Sequence, residues 1–167
     1  MVDPLAGGLG VKLAAPEREV YVLVGDGSYL MMNSEIATSV VLQAKLTIVV
    51  LDNGGFGCIN RLQAATGGAS FNNLFPAGSG VDFAAHAASL GAVARAVSGI
   101  AELEQALADA KKERRTTVIA IGTDPAASTA EGGAWWDVAV PEISRRPQVT
   151  AARQAYEAMT PHQRVSG

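Results

Sequence analysis

The 167 residues include 49% hydrophobic, 17% charged and 5% aromatic types, the balance of one globular domain rather than a disordered or fibrous chain. Thirteen Lys and Arg against sixteen Asp and Glu leave a formal charge of -3; with no general basic field, neither nucleic acid nor an anionic membrane is an expected partner. The single cysteine, Cys58, excludes a disulfide framework and a paired Cys/His zinc motif, and a core of this size needs neither.

Along the chain, Leu5 to Ala15 is rich in small residues (Gly7, Gly8, Gly10, Ala14, Ala15) and reads as a helix suited to close packing, stopped by Pro16. Asp3, Pro4 and these glycines stand where a secretory signal would carry its apolar block, so the expected compartment is the reducing cytoplasm. Val20 to Val24 is a β-branched run ended by Gly25, apolar on both faces as in a parallel strand covered on two sides. Asn33 to Leu42 then places Ile36, Val40 and Val41 at helical spacing, with Asn33 or Ser34 as N-cap. Leu46 to Leu51 is a second buried strand, and runs of this length are far short of the roughly twenty residues that cross a bilayer.

Gly54 to Gly80 breaks the rhythm. It is rich in Gly, Asn and Ser, with Phe71, Leu74 and Phe75 embedded, and a stretch this long with weak periodicity points to a functional or conditionally ordered segment. Asp82 to Leu90 reads as a helix opened by an acidic residue, and Ala92 to Val97 as a strand. Glu102 to Arg115 is an amphipathic helix with Leu103, Ala106, Leu107 and Ala110 on one face and basic residues suited to its C-terminal end. Thr116 to Ile121 closes the series as a strand. The alternation predicts an α/β fold, a parallel sheet with helices on both faces, over a core of residues 1–122. From residue 123 onward the chain holds Trp135, Trp136 and a helix around Val149 to Met159, expected as an arm packing on that core or on a partner.

Parallel sheets gather ligands beyond the carboxyl ends of their strands. The first exit reads Gly25-Asp26-Gly27-Ser28, the second Asp52-Asn53-Gly54-Gly55-Phe56-Gly57. Glycines beside Asp26 let backbone approach a ligand and expose amide donors, while Asp26 supplies a hard anionic oxygen. With a neutral oxygen from Asn53 and a backbone carbonyl, it makes a partial ligand set for an octahedral Mg²⁺ completed by phosphate and water. Plainer readings stand beside this one: Gly-Asp-Gly also forms turns, Ser28 also caps them, and Asn53 also shapes loops. Glu35 reads as a helix-dipole residue rather than an acid–base group, His86 as a surface or interface histidine, His162 as part of a polar tail, and Cys58 as a packing residue.

Asp26 and Asn53 each follow a buried strand, with one helix between them. On these residues the chain resembles the diphosphate-binding domain of thiamine diphosphate (ThDP) enzymes, whose signature pairs Gly-Asp-Gly with a later Asn-Asn motif; the first Asn of that motif is Asp52 here. Residues Ala6 to Ile36, Leu51 to Ile59, Arg61-Leu62-Gln63 and Trp135-Trp136-Asp137-Val138 are similar to the trihydroxycyclohexanedione hydrolases of inositol catabolism within that family. An acetolactate-synthase-like carboligase is the alternative among enzymes, and a truncated noncatalytic fragment the alternative outside them.

The resemblance implies ThDP and Mg²⁺ as cofactors. Asp26 and Asn53 would hold the metal through side chains and Gly55 through its carbonyl, with Gly25, Gly27, Ser28 and Phe56 completing the cofactor-binding set. It further implies cleavage of a carbon–carbon bond in a small-molecule cyclic 1,2-dione. In the family the activating Glu lies on a pyrimidine-binding domain, so that half of the site is expected from elsewhere, in cis or in trans, within a homo-oligomer. No residue of this chain is assigned as catalytic, and the chain alone is expected to be inactive.

Overall fold

A computed structural model describes residues 4–76, 80–125, 127 and 140–162. In chain order the elements are α1 (Pro4–Ala14), β1 (Tyr21–Gly25), α2 (Asp26–Tyr29), α3 (Ser34–Val41), β2 (Thr47–Asp52), α4 (Gly57–Ala65), α5 (Phe83–Ser89), β3 (Val93–Val97), α6 (Ile100–Lys112), β4 (Thr117–Gly122), α7 (Pro147–Met159) and a 3₁₀ turn, Thr160–His162. The described residues fall into two compact units, one drawn from Met1–Phe56 and Phe75–Pro125, the other from Gly57–Leu74 and Ala126–Gly167.

The first unit is the parallel α/β layer structure expected from the alternation. Its sheet has the order β1-β2-β4-β3 with every neighbouring pair parallel. Because side chains alternate along a strand, Val22, Val24, Ile48, Val50, Val118 and Ala120 share one face, and Leu5, Leu9, Ile36, Phe83 and Ala87 from α1, α3 and α5 close over them. Ala106 and Ala110 of α6 are buried and lie outside this cluster, as are Val49, Ile119 and Ile121 from the opposite face of the sheet. Helix α6 packs on β3 and β4 there.

β1 departs from expectation. It is an edge strand, and its second face is open: Tyr21 is 41% and Leu23 66% exposed. A run of β-branched and apolar residues reads alike on both faces, and only the position of α6 decides which face is covered. Helix α1 is the close-packed helix anticipated, with Gly8 against Val22, and Lys12 Nζ closes its C-terminal end on the carbonyls of Pro16 (2.6 Å) and Arg18 (2.7 Å). Asn33 holds the N-cap position of α3 but makes no side-chain cap bond; it is itself in helical conformation, and its amide donates to the Leu30 carbonyl at 3.3 Å. Asp82 caps α5 as read, accepting from the Ala85 amide at 2.9 Å.

A buried hydroxyl pair braces the amino end of the sheet. Thr116 Oγ1 accepts from the Leu46 amide at 3.1 Å and lies 2.7 Å from Ser39 Oγ, which bonds the Ile36 carbonyl at 2.7 Å.

The second unit contains the helix that sequence periodicity missed, α4, and the one it found, α7. Gln63 of α4 gathers the following loop: its Nε2 donates to Ala69 O, its Oε1 accepts from Asn73 at 2.5 Å, and its carbonyl accepts from the Gly68 amide at 2.8 Å. Gly67, at φ +79°, lies directly against the backbone of Gln148 and Val149, leaving no room for a side chain. Arg153 of α7 bonds Glu157 at 2.7 Å and the Val140 carbonyl at 2.8 Å, with its guanidinium over the Tyr156 ring. Trp135 and Trp136 lie outside the described residues.

Candidate functional site

β1 and β2 run parallel with Gly25 opposite Leu51, so the chain leaves both strands at one edge and the residues that follow are neighbours. After β1 it turns at once into α2, whose first residue, Asp26, is fully buried. A carboxylate so placed needs donors. The Gly55 amide donates to Asp26 Oδ2 at 2.5 Å, and the Gly27 amide also bonds the carboxylate.

The turn after β2 makes this possible. Asp52 Oδ1 accepts from the Gly54 amide at 3.1 Å, and Gly54 and Gly55 adopt φ +79° and +133°, values that only glycine takes without strain. The turn aims Gly55 back at Asp26. Beyond it the Phe56 ring closes over Gly27: a Cβ on Gly27 would lie 2.8 Å from Phe56 Cδ1 and 3.1 Å from the Gly55 carbonyl. Phe75 meets Phe56 edge-on at 6.5 Å and donates its amide to the Gly54 carbonyl at 2.7 Å.

Asn53 sits between these groups. Its amide oxygen faces two acceptors, Asp26 Oδ1 at 3.2 Å and the Gly55 carbonyl at 3.0 Å; turned over, the amide would instead donate to both through Nδ2. In the second orientation the amide bridges the other two groups by hydrogen bonds; in the first, three oxygens converge, from a carboxylate, an amide and the main chain. Their spacing matches the roughly 3 Å between adjacent ligands of an octahedral Mg²⁺ with bonds of about 2.1 Å. Among the described residues no group of three or more His, Cys, Asp or Glu forms a metal site, so this mixed oxygen set is the candidate cation site.

Burial raises the pKa of Asp26 above that of an ordinary aspartate; the Gly55 and Gly27 amides pull it down, and the neighbouring Asp52 carboxylate adds to the rise. A cation among these oxygens would favour the charged form and reverse the balance.

The structure thus brings Gly25, Asp26, Gly27, Asn53, Gly55 and Phe56 to one sheet edge, with Ser28 half-buried on α2. Glu35 stands in the first turn of α3, where a dipole role places it. Cys58 is exposed at the start of α4, which corrects the packing reading: the helix that carries it buries Gly57 alone. His86 is half-buried rather than a surface residue, and Tyr29 Oη lies 2.8 Å from its Nδ1. Nothing in the local pattern signalled that pairing, because its partners are 57 positions apart.

Comparison with known proteins identifies the family. Residues 3–121 match the profile described as "Thiamine pyrophosphate enzyme, C-terminal TPP binding domain". A 3D-(3,5/4)-trihydroxycyclohexane-1,2-dione hydrolase of Bacillus cereus (strain AH820) is 41% identical over 162 residues, covering 90% of this chain and 25% of that protein. A hydrolase of the same name from Bacillus anthracis (strain A0248) matches equally. The chain therefore spans about a quarter of the length of these relatives. Among solved structures, benzoylformate decarboxylase from Polynucleobacter necessarius superposes with a TM-score of 0.66 at 24% identity, over 75% of this chain and 23% of that one. A thiamine diphosphate-dependent 4-hydroxybenzoylformate decarboxylase from Rhodococcus jostii RHA1 gives 0.63 at 24%, over 72% and 23%. At that identity the two structures speak for the fold alone.

Proposed function

The chain belongs to the thiamine pyrophosphate enzyme family, as its C-terminal TPP binding domain, and on that premise we propose that it is the Mg²⁺- and diphosphate-binding part of a hydrolase that opens a cyclic 1,2-dione. The observation that carries the metal assignment is the convergence of Asp26 Oδ1, the Asn53 amide oxygen and the Gly55 carbonyl. Asp26 brings the only charge among these three ligands, so metal and diphosphate bind together: one carboxylate leaves the cation electron-poor, and phosphate oxygens complete its shell. Ser28 offers donors to the diphosphate beside Gly25, Gly27 holds the Asp26 carboxylate through its amide, and Phe56 keeps water from the turn that presents the Gly55 carbonyl.

The substrate assignment rests on the 41% identity to the named hydrolases. When bound, ThDP contributes stabilisation of negative charge at the carbon released by carbon–carbon cleavage. This chain's own residues anchor and orient the cofactor. The group that activates it comes from a pyrimidine-binding domain in cis or in trans, and the working assembly is a cytoplasmic homo-oligomer.

Calorimetric titration tests the first half: ThDP should bind this chain only with Mg²⁺ present, and unchanged binding in Asp26→Ala would refute the site. The second half is tested by adding the pyrimidine-binding portion of the relatives and assaying the inositol-derived dione against pyruvate. Turnover of pyruvate alone would favour a carboligase.

A further inference from the structure

Helix α2 is four residues long, too short to hold itself in place. Two backbone bonds close it, Leu30 N to Asp26 O at 3.1 Å and Met31 N to Ser28 O at 3.2 Å. Its position must come from side chains at its two ends. At the first end Asp26 is fixed by the Gly55 and Gly27 amides. At the other end stands Tyr29, fully buried, with its ring edge-on to Phe83 at 5.3 Å and to His86 at 5.7 Å. Phe83 and His86 are three positions apart on α5 and so share a face.

Tyr29 Oη lies 2.8 Å from His86 Nδ1. Burial pushes the Tyr29 pKa up to about 12, so the phenol keeps its proton at neutral pH and has it to donate. In the tautomer that carries its hydrogen on Nε2, His86 accepts it at Nδ1. Helix α5 is a firm base for this contact, since Asp82 caps it and Phe83 and Ala87 are buried.

We propose that His86 is a positioning residue for the cofactor site: by accepting the Tyr29 hydroxyl it clamps α2 to α5, and so fixes where Asp26, Gly27 and Ser28 stand at the end of β1. The identity of the ligand rests on the function proposed above. The clamp itself does not.

The test uses three variants of the full chain. Tyr29→Phe removes the donor, His86→Leu removes the acceptor, and His86→Asn keeps an acceptor close to the position of Nδ1. Amide hydrogen exchange is followed without ligand at Gly27, Leu30, Met31 and Gly55, against strand amides of β2 and β4 as reference; Mg²⁺-dependent ThDP affinity is then measured by calorimetry. Tyr29→Phe and His86→Leu should each speed exchange at the four site amides by about tenfold relative to the strands, the loss of one buried hydrogen bond. The two together should add little, and both should weaken ThDP binding by a similar factor. His86→Asn should restore most of both properties. Equal acceleration at site and strand amides would reduce His86 to a general stability residue and overturn the proposal, as would failure of His86→Asn to rescue. If the unaltered chain bound no ThDP, the functional reading would fall, while the exchange data would still decide the clamp.

Discussion

The Gly55 amide donates to Asp26 Oδ2 at 2.5 Å, tying the residue after β1 to the turn after β2. That bond links the only carboxylate of the candidate cation site to the turn that presents its carbonyl ligand. Removing the carboxylate in Asp26→Ala should lower Mg²⁺-dependent ThDP affinity by about a hundredfold or more, the range for losing a buried charged partner. Asn53→Ala, which removes a neutral oxygen, should cost about tenfold. Calorimetry on both variants checks the order, and a larger loss in Asn53→Ala would reverse the assigned roles.

The same carboxylate predicts a pH effect in the metal-free protein. Its pKa is raised in the folded state, chiefly by burial, so folding binds a proton more tightly and the charged form is penalised. Stability is therefore greater at low pH and declines as pH rises from the ordinary aspartate range through the raised value. Replacement by Asn removes that decline. The melting-temperature difference between Asp26→Asn and the parent should thus be more positive at pH 7 than near pH 4, and saturating Mg²⁺ should shrink it by stabilising the parent alone. A difference independent of pH would show that Asp26 is not penalised as described.

Gly27 has no space for a methyl group beneath Phe56. Gly27→Ala should destabilise by about 1–3 kcal/mol, the usual cost of overpacking, and displace the Gly55 carbonyl enough to weaken Mg²⁺ binding. Combining it with Phe56→Leu should recover part of the stability but less of the metal affinity, because the carbonyl contact at 3.1 Å remains. Chemical denaturation and Mg²⁺ titration of the single and double variants measure the two effects separately.

Away from the site, Thr116 Oγ1 serves both the Leu46 amide and Ser39. Thr116→Val leaves buried polar groups unpaired and should cost about 1–3 kcal/mol, whereas Ser39→Ala should cost about 1 kcal/mol. Urea unfolding, with the double variant less destabilised than the sum, would verify the shared bond.

In the second unit, Gly67 combines a φ of +79° with direct contact to the backbone at Gln148 and Val149. Gly67→Ala should release the first turn of α7, seen as faster exchange of the Val149 and Thr150 amides, which bond the Arg146 carbonyl. Local strain of this kind costs about 1–3 kcal/mol. Unchanged exchange at those amides would show that the contact yields without loosening the helix.

What the sequence determined by itself was the alternation of the main strands and helices and where a candidate site was to be sought, beyond the carboxyl ends of β1 and β2. Apolar runs such as Thr47–Asp52 are legible because a strand buried on both faces leaves no polar alternation, and in a parallel sheet the ligand edge follows from strand direction alone. Gly25 to Ser28 and Asn53 to Phe56 could therefore be named before any coordinates, and the family likeness lay in those same residues. Helix α4 was not legible, since Gly57 opens it and only that residue is buried, so no apolar stripe marked its period. Tertiary structure alone decided that β1 lies at the edge with Leu23 exposed, that Asn53 stands between Asp26 and Gly55, and that Tyr29 meets His86. Each of these depends on distances between segments far apart in the chain, and local propensity and spacing carry no information about which distant side chains share a volume.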